Sequence, residues 1–222
     1  MGYLNIKGIT INATNAYEKD RYITYFTDKL GKINVKLKSV RNIASRRIGY
    51  TEEFLLEKVL IYRKGNTFIA TEISLIENFR GAKEDFVKSI ALLYIKELIV
   101  LFVPYEQEEI GIFRLLIDTL TSIEVKDREF SYTLLAFFMC HFLKLIGYPI
   151  PLSMKGIMEH NLTSNVDILK DIESLSALDS PLKITKPSLF AKESIDVINF
   201  YIMQQFEEKA YLKFLEQIKK LM

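Results

Sequence analysis

The sequence predicts an α+β protein of two parts, a five-stranded β-barrel over residues 1–80 and an all-helical domain over residues 81–222. Three observations predict it. In the first 80 residues, apolar and β-branched side chains fall in short alternating runs, the period of a half-buried strand. From Ala82 the apolar residues recur at three- and four-residue steps, the period of a helix. Charge divides at the same place. Residues 1–80 hold 14 Lys/Arg and 8 Asp/Glu, whereas residues 81–222 hold 16 and 20. A positive half joined to a negative half suggests modules with different partners.

The elements follow in order. Gly8–Thr14 is a first strand candidate. Tyr22–Thr27, aromatic and β-branched, is a second. Leu30-Gly31-Lys32 turns the chain into a third strand, in which Ile33, Val35 and Leu37 alternate with Lys32, Asn34, Lys36 and Lys38. Thr51–Arg63 is a fourth and Thr67–Leu75 a fifth, joined by a hairpin at Lys64-Gly65-Asn66. Five strands without a helix suggest a small closed barrel, for which the OB-fold is the common solution. Beyond Asn78–Gly81 a first helix carries Phe86, Ile90 and Leu93 and ends at Pro104. A second is expected over Glu106–Ile123. A third spans Asp127–Ile146, with Asp127 as N-cap, and Gly147-Tyr148-Pro149-Ile150-Pro151 stops it. Residues 152–164 are expected to be loop, Asp167–Leu178 a short helix, Asp179–Pro187 a connection, and Leu189–Leu221 one or two further helices. No internal repeat or low-complexity run is present.

Composition sets limits. Nearly half the residues are apolar, 49%, enough for a substantial core and against disorder. A single cysteine, Cys140, rules out a disulfide framework within the chain and fits a reducing compartment. The opening MGYLNIKGITIN lacks the apolar centre of a secretory signal. Lys96, Glu97, His141 and Lys144 interrupt the longest apolar passages, so no membrane span is expected. A soluble, cytoplasmic protein is the expectation.

Lys29–Arg47 is the stretch richest in functional signal. It holds seven basic side chains, Lys29, Lys32, Lys36, Lys38, Arg41, Arg46 and Arg47, and no acidic one. Strict alternation would pack one face and present the lysines on the other, running into an arginine-bearing turn. Such a row suits a polyanion, and nucleic-acid phosphate above all. Solvated lysines on the wet face of a sheet are the ordinary alternative, but such faces usually mix signs. Lys32, Lys36, Lys38, Arg41, Arg46 and Arg47 are therefore the expected phosphate contacts, the arginines through their planar forks. Tyr22, Tyr25 and Phe26 are candidate base-stacking residues. Because they alternate faces they cannot all be outside. Core packing is preferred for Phe26, and Tyr25 is kept as a contact.

Residues and order together resemble the RecO family, bacterial recombination mediators of DNA repair. Gly8-Ile9-Thr10-Ile11, Tyr17-Glu18-Lys19-Asp20, Phe26-Thr27, Gly31-Lys32, Val40-Arg41, Ser45-Arg46 and Glu53-Phe54 follow the family's opening pattern. Leu145-Ile146-Gly147-Tyr148-Pro149 matches the end of its central helix, and Tyr211-Leu212-Lys213-Phe214-Leu215 is a looser match. The resemblance implies an OB-fold followed by a helical domain, binding of single- and double-stranded DNA, and annealing of complementary strands. It implies as partners RecR, the acidic tail of the single-stranded DNA-binding protein and, indirectly, RecA, with a nucleoid-associated location. Many family members hold zinc through paired CxxC motifs in the helical domain. This chain has no cysteine after Pro151, and His141 and His160 cannot complete a set of four ligands. No zinc and no other cofactor are expected.

The remaining candidates are weaker. Glu18 and Asp20 form a close carboxylate pair, but acid–base catalysis needs a pocket with partners. Adjacent Cys140 and His141 do not share a helix face and make no nucleophile–base pair. There is no P-loop, so ATP hydrolysis is unsupported, and with no catalytic candidate left the chain is expected not to be an enzyme. Arg114, Lys126, Arg128 and Lys144 lie among apolar helical positions where an acidic peptide with an aromatic end could dock, although solvated helix faces would show the same pattern. Two other readings stay open: a protein-interaction adaptor, and an RNA-binding OB module without annealing activity.

Overall fold

The computed structural model describes residues 2–15, 20–38 and 51–206. Their contacts form two compact units. One is the chain up to Phe79 with Val103–Arg114; the other is Arg80–Phe102 with the chain from Leu115.

The first unit is a closed barrel. Its strands are β1 (Tyr3–Asn15), β2 (Arg21–Thr27), β3 (Gly31–Leu37), β4 (Leu56–Lys64) and β5 (Thr67–Glu77). They join in the ring order β1-β2-β3-β5-β4, and only the β3–β5 contact is parallel. This is the ring of the OB-fold. Alternation dictates the interior: Ile6, Ile23, Tyr25, Ile33, Val35, Leu37, Val59, Ile61, Phe68 and Ala70 form one buried cluster. Each aliphatic side chain withdrawn from water in this way contributes roughly 1.5–3 kcal/mol before ordering losses. Gly8 has room for no side chain, because a Cβ there would meet the Tyr25 ring at 2.9 Å.

The fourth strand starts later than the pattern predicts. Thr51–Leu55 turns instead of extending, with Phe54 at a φ of 57°. The Thr10 hydroxyl fastens this turn to β1, donating to the Glu52 carbonyl at 2.6 Å and accepting from the Leu55 N–H at 2.7 Å. Val103–Arg114 forms a strap over the barrel. The Glu106 N–H donates to the Lys32 carbonyl at 2.9 Å, and Phe113 meets Phe26 at a ring-centroid distance of 5.8 Å.

The second unit is helical: α1 (Arg80–Glu84), α2 (Phe86–Phe102), α4 (Ser131–Leu145), α5 (Met154–Glu159), α6 (Val166–Ala177), α7 (Ala191–Gln205), and the part of α3 (Ile110–Val125) from Leu115 on. The central member is α4, buried almost continuously from Thr133 to Leu143 and packed against α2, α6 and α7. Asp85 caps α2 by accepting from the N–H groups of Val87 and Lys88 at 2.9 and 3.1 Å. Several expected boundaries move. α3 begins at Ile110 rather than Glu106, because Tyr105–Glu109 is drawn into the strap. Asp127 makes no side-chain cap, and a 3-10 turn at Arg128–Phe130 precedes α4. The stretch expected to be loop contains α5, whose N-terminus Ser153 caps through Gly156 N–H. Among the described residues, no helix is long and apolar enough to cross a membrane.

Candidate nucleic-acid interface

The outward face of the β2–β3 pair is built in rows by the register Tyr22↔Lys36, Thr24↔Asn34 and Phe26↔Lys32. The three rows have different surroundings. At one end the strap roofs the sheet, with Phe113 over Phe26 and Tyr105 over Lys32, the ammonium lying 4.5 Å from the ring centroid. The expectation that Lys32 lies on the wet face is therefore corrected: it is 3% exposed. Burial pushes its pKa down. Alternation set its face correctly, but that face is covered by a segment more than 70 positions later in the chain.

The middle row is open, with Asn34 exposed and Thr24 Oγ1 donating to Asn34 Oδ1 at 2.8 Å. At the far end Lys36 is half-buried and forms an ion pair with Asp20 at 2.9 Å, with its ammonium 6.0 Å from the Tyr22 ring centroid. The absence of acids from Lys29–Arg47 is thus not an absence of acids in space. Lys38 is exposed just beyond β3. Arg41, Arg46 and Arg47 lie outside the described residues.

Tyr25 cannot stack on a base. It is 0% exposed, because its position in β2 points into the barrel. Its hydroxyl donates to Glu57 Oε2 at 2.5 Å. Glu57 is equally buried, and its Oε1 has no hydrogen-bond partner. Burial raises the Glu57 carboxyl to about 7 against the opposing effect of the Tyr25 hydrogen bond. Burial, and then the Glu57 charge, raise the Tyr25 phenol. Tyr22, half-exposed beside Lys36, is the aromatic ring that the β2–β3 face presents. Asn34 and Thr24 are not among the contacts expected from the sequence, because neutral polar residues on alternating positions carry no distinguishing signal.

The four cations expected to receive a partner are divided between the two units. Arg114 belongs to the barrel unit. In the helical unit, Lys126 is half-buried, donating to the Ile184 carbonyl at 2.9 Å with its ammonium 5.1 Å from the Phe130 ring centroid. Arg128 precedes α4 and Lys144 stands in its last turn, so most of the length of α4, about 20 Å at 1.5 Å per residue, lies between them.

The donor set does not fit zinc. Cys140 is buried in α4, and burial pushes its thiol up to about 12. His141 Nε2 donates to the Leu175 carbonyl at 3.2 Å, and His160 Nδ1 lies 3.3 Å from the Gln205 amide. Among the described residues no group of three or more candidate ligands occurs.

Comparison with known proteins agrees with this architecture. Residues 1–79, which contain the whole barrel sheet, match the family model described as Recombination protein O N terminal. Residues 83–175 match Recombination protein O C terminal. The chain belongs to the RecO family. Among curated relatives, it is 26% identical to the DNA repair protein RecO of Caldanaerobacter subterraneus over 67% of this chain and 60% of the relative. It is 29% identical to that of Dehalococcoides mccartyi over 64% and 55%, and 27% identical to that of Caldicellulosiruptor bescii over 62% and 59%. The matched region thus spans 55–60% of the length of these RecO proteins.

Proposed function

We propose that this chain is a non-enzymatic DNA-binding mediator of DNA repair that holds single strands on its barrel and promotes annealing of complementary strands. The observation that carries this reading is the open part of the β2–β3 face. Tyr22, Thr24, Asn34, Lys36 and Lys38 form a strip there that leads directly into residues 39–50, whose sequence holds Arg41, Arg46 and Arg47 and no acid. The names of the RecO relatives, all DNA repair proteins, support it.

The chemistry is electrostatic. Lys38 and the arginines neutralise backbone phosphates, releasing counterions, without reading sequence, while Lys36 stays paired with Asp20. Neutralising one backbone lowers the repulsion met by a second. Tyr22 supplies a ring on which a base stacks. No bond is made or broken, and no residue is assigned to catalysis. The helical unit then receives protein partners: RecR, the acidic tail of the single-stranded DNA-binding protein and, through them, RecA. Action is on single- and double-stranded DNA at the cytoplasmic nucleoid.

The test is fluorescence titration of an unstructured oligothymidylate with wild type and the Arg41→Ala/Arg46→Ala/Arg47→Ala variant at moderate salt. The expected loss is about tenfold or more. Unchanged affinity would move the DNA surface elsewhere. A parallel titration with oligouridylate separates DNA preference from an RNA-binding module, and absence of annealing above background would favour an adaptor.

A further inference from the structure

The barrel has a second cationic and aromatic strip. In the ring order β1-β2-β3-β5-β4, the β4–β1 junction lies across the barrel from the β2–β3 junction. There the register sets Tyr3 opposite Tyr62, Asn5 opposite Leu60 and Lys7 opposite Lys58. Their chain neighbours Ile6, Val59 and Ile61 are buried in the barrel, so by alternation these six side chains face outward. Tyr3 is 65% exposed and meets Tyr62 at a ring-centroid distance of 5.7 Å. Lys7 and Lys58 are both exposed.

Like charges directly opposed on an antiparallel pair are destabilising. Among the described residues neither ammonium has an ion-pair partner to offset this. Two carboxylates stand along the strip without an ion pair to either ammonium. Asp28 accepts from the backbone N–H of Lys7 at 2.9 Å, and Glu72 stands on β5 opposite Leu60. Lys29 adds a further cation by donating to the Asn5 carbonyl at 2.6 Å. The tyrosine pair and the lysine pair are four residues apart on one face, about 13 Å at strand rise. An exposed ring in line with ammonium groups that form no ion pair among the described residues makes the platform-and-funnel arrangement that suits a single strand.

We propose that this β1–β4 face is a second binding surface for single-stranded nucleic acid, with phosphates at Lys7 and Lys58 and a base stacked on Tyr3. The inference rests on the reading of the β2–β3 face as the seat of a first strand. Its consequence is that one barrel carries two strands at once, screened from each other by the protein's own charge.

The test uses two non-complementary oligothymidylates, one labelled with a donor and one with an acceptor, added in turn to the full chain, with oligouridylate pairs in parallel. Energy transfer reports the second strand and donor anisotropy the first. The Lys58→Glu variant is expected to weaken second-strand binding at least about fivefold. It should leave the first strand within about twofold and the melting temperature no lower, since it replaces a repulsive pair by an attractive one. Tyr3→Leu should weaken the second strand about three- to tenfold. Second-strand affinity unchanged in Lys58→Glu, with the first strand still dependent on Arg41, Arg46 and Arg47, would overturn this inference alone. Equal loss of both strands in Lys58→Glu would also overturn it, showing one shared site. Failure of wild type to bind any strand would take down both readings.

Discussion

Glu57 is a carboxylate whose chemistry departs far from that of its exposed counterparts. Its carboxyl is sealed in the barrel with one oxygen held by Tyr25 and the other without a partner. The folded state favours the protonated form, raising the pKa from 4.5 to about 7. The barrel therefore binds more protons than the unfolded chain between these values, and stability falls as pH rises across that window. At 1.36 kcal/mol for each pKa unit, the loss is about 3 kcal/mol as an upper figure. Glu57→Gln removes the titration while keeping an acceptor for Tyr25. Urea denaturation should show the variant more stable than wild type by about 1–3 kcal/mol at pH 8, with little difference below pH 5. An equal effect at both pH values would contradict the burial account. None of this was legible in the sequence, where Glu57 is one acid in an apolar run. Only the inward direction of its strand position makes it buried.

At the scale of elements, the strap decides what the β2–β3 face can offer. Gly31 turns the chain into β3 with a φ of 63°, and a Cβ there would collide with the Gln107 carbonyl. Gly31→Ala should destabilise the chain by at least about 2 kcal/mol, combining left-handed strain with displacement of the strap. Denaturant unfolding measures this, and a change below about 0.5 kcal/mol would mean the strap yields freely. The strands were legible because their alternation is local: Ile33, Val35 and Leu37 point inward as their spacing predicts. The strap was not. Tyr105–Glu109 continues into a helical pattern, and its removal from that helix follows from long-range contacts, Glu106 with Lys32 and Arg63 and Phe113 with Phe26. The same contacts cover Lys32. Tyr25 illustrates a different limit. Alternation showed that Tyr25 and Phe26 face opposite ways but not which way, and the strap then buries the outward one as well. α5 was missed because Met154–Glu159 is too short to show a helical period.

At the scale of the whole molecule, the charge surplus of residues 1–80 belongs to a barrel whose sequence falls in the RecO family. That surplus is not spread as one row. Lys32 is under the strap and Lys36 is paired, so in the proposed function the grip on a strand falls to Lys38 and the arginines, and in the further proposal Lys7 and Lys58 hold a second strand. The number of phosphates held is the quantity that distinguishes this arrangement from a solvated sheet face. The most direct measurement is the affinity of the chain for an unstructured oligothymidylate as a function of salt. With about four phosphates neutralised, log affinity should fall against log salt with a slope of about −3. The Arg41→Ala/Arg46→Ala/Arg47→Ala variant should flatten that slope to about −1. A wild-type slope near zero, or one that the three substitutions leave unchanged, would contradict the central claim that the barrel grips a nucleic-acid backbone by charge.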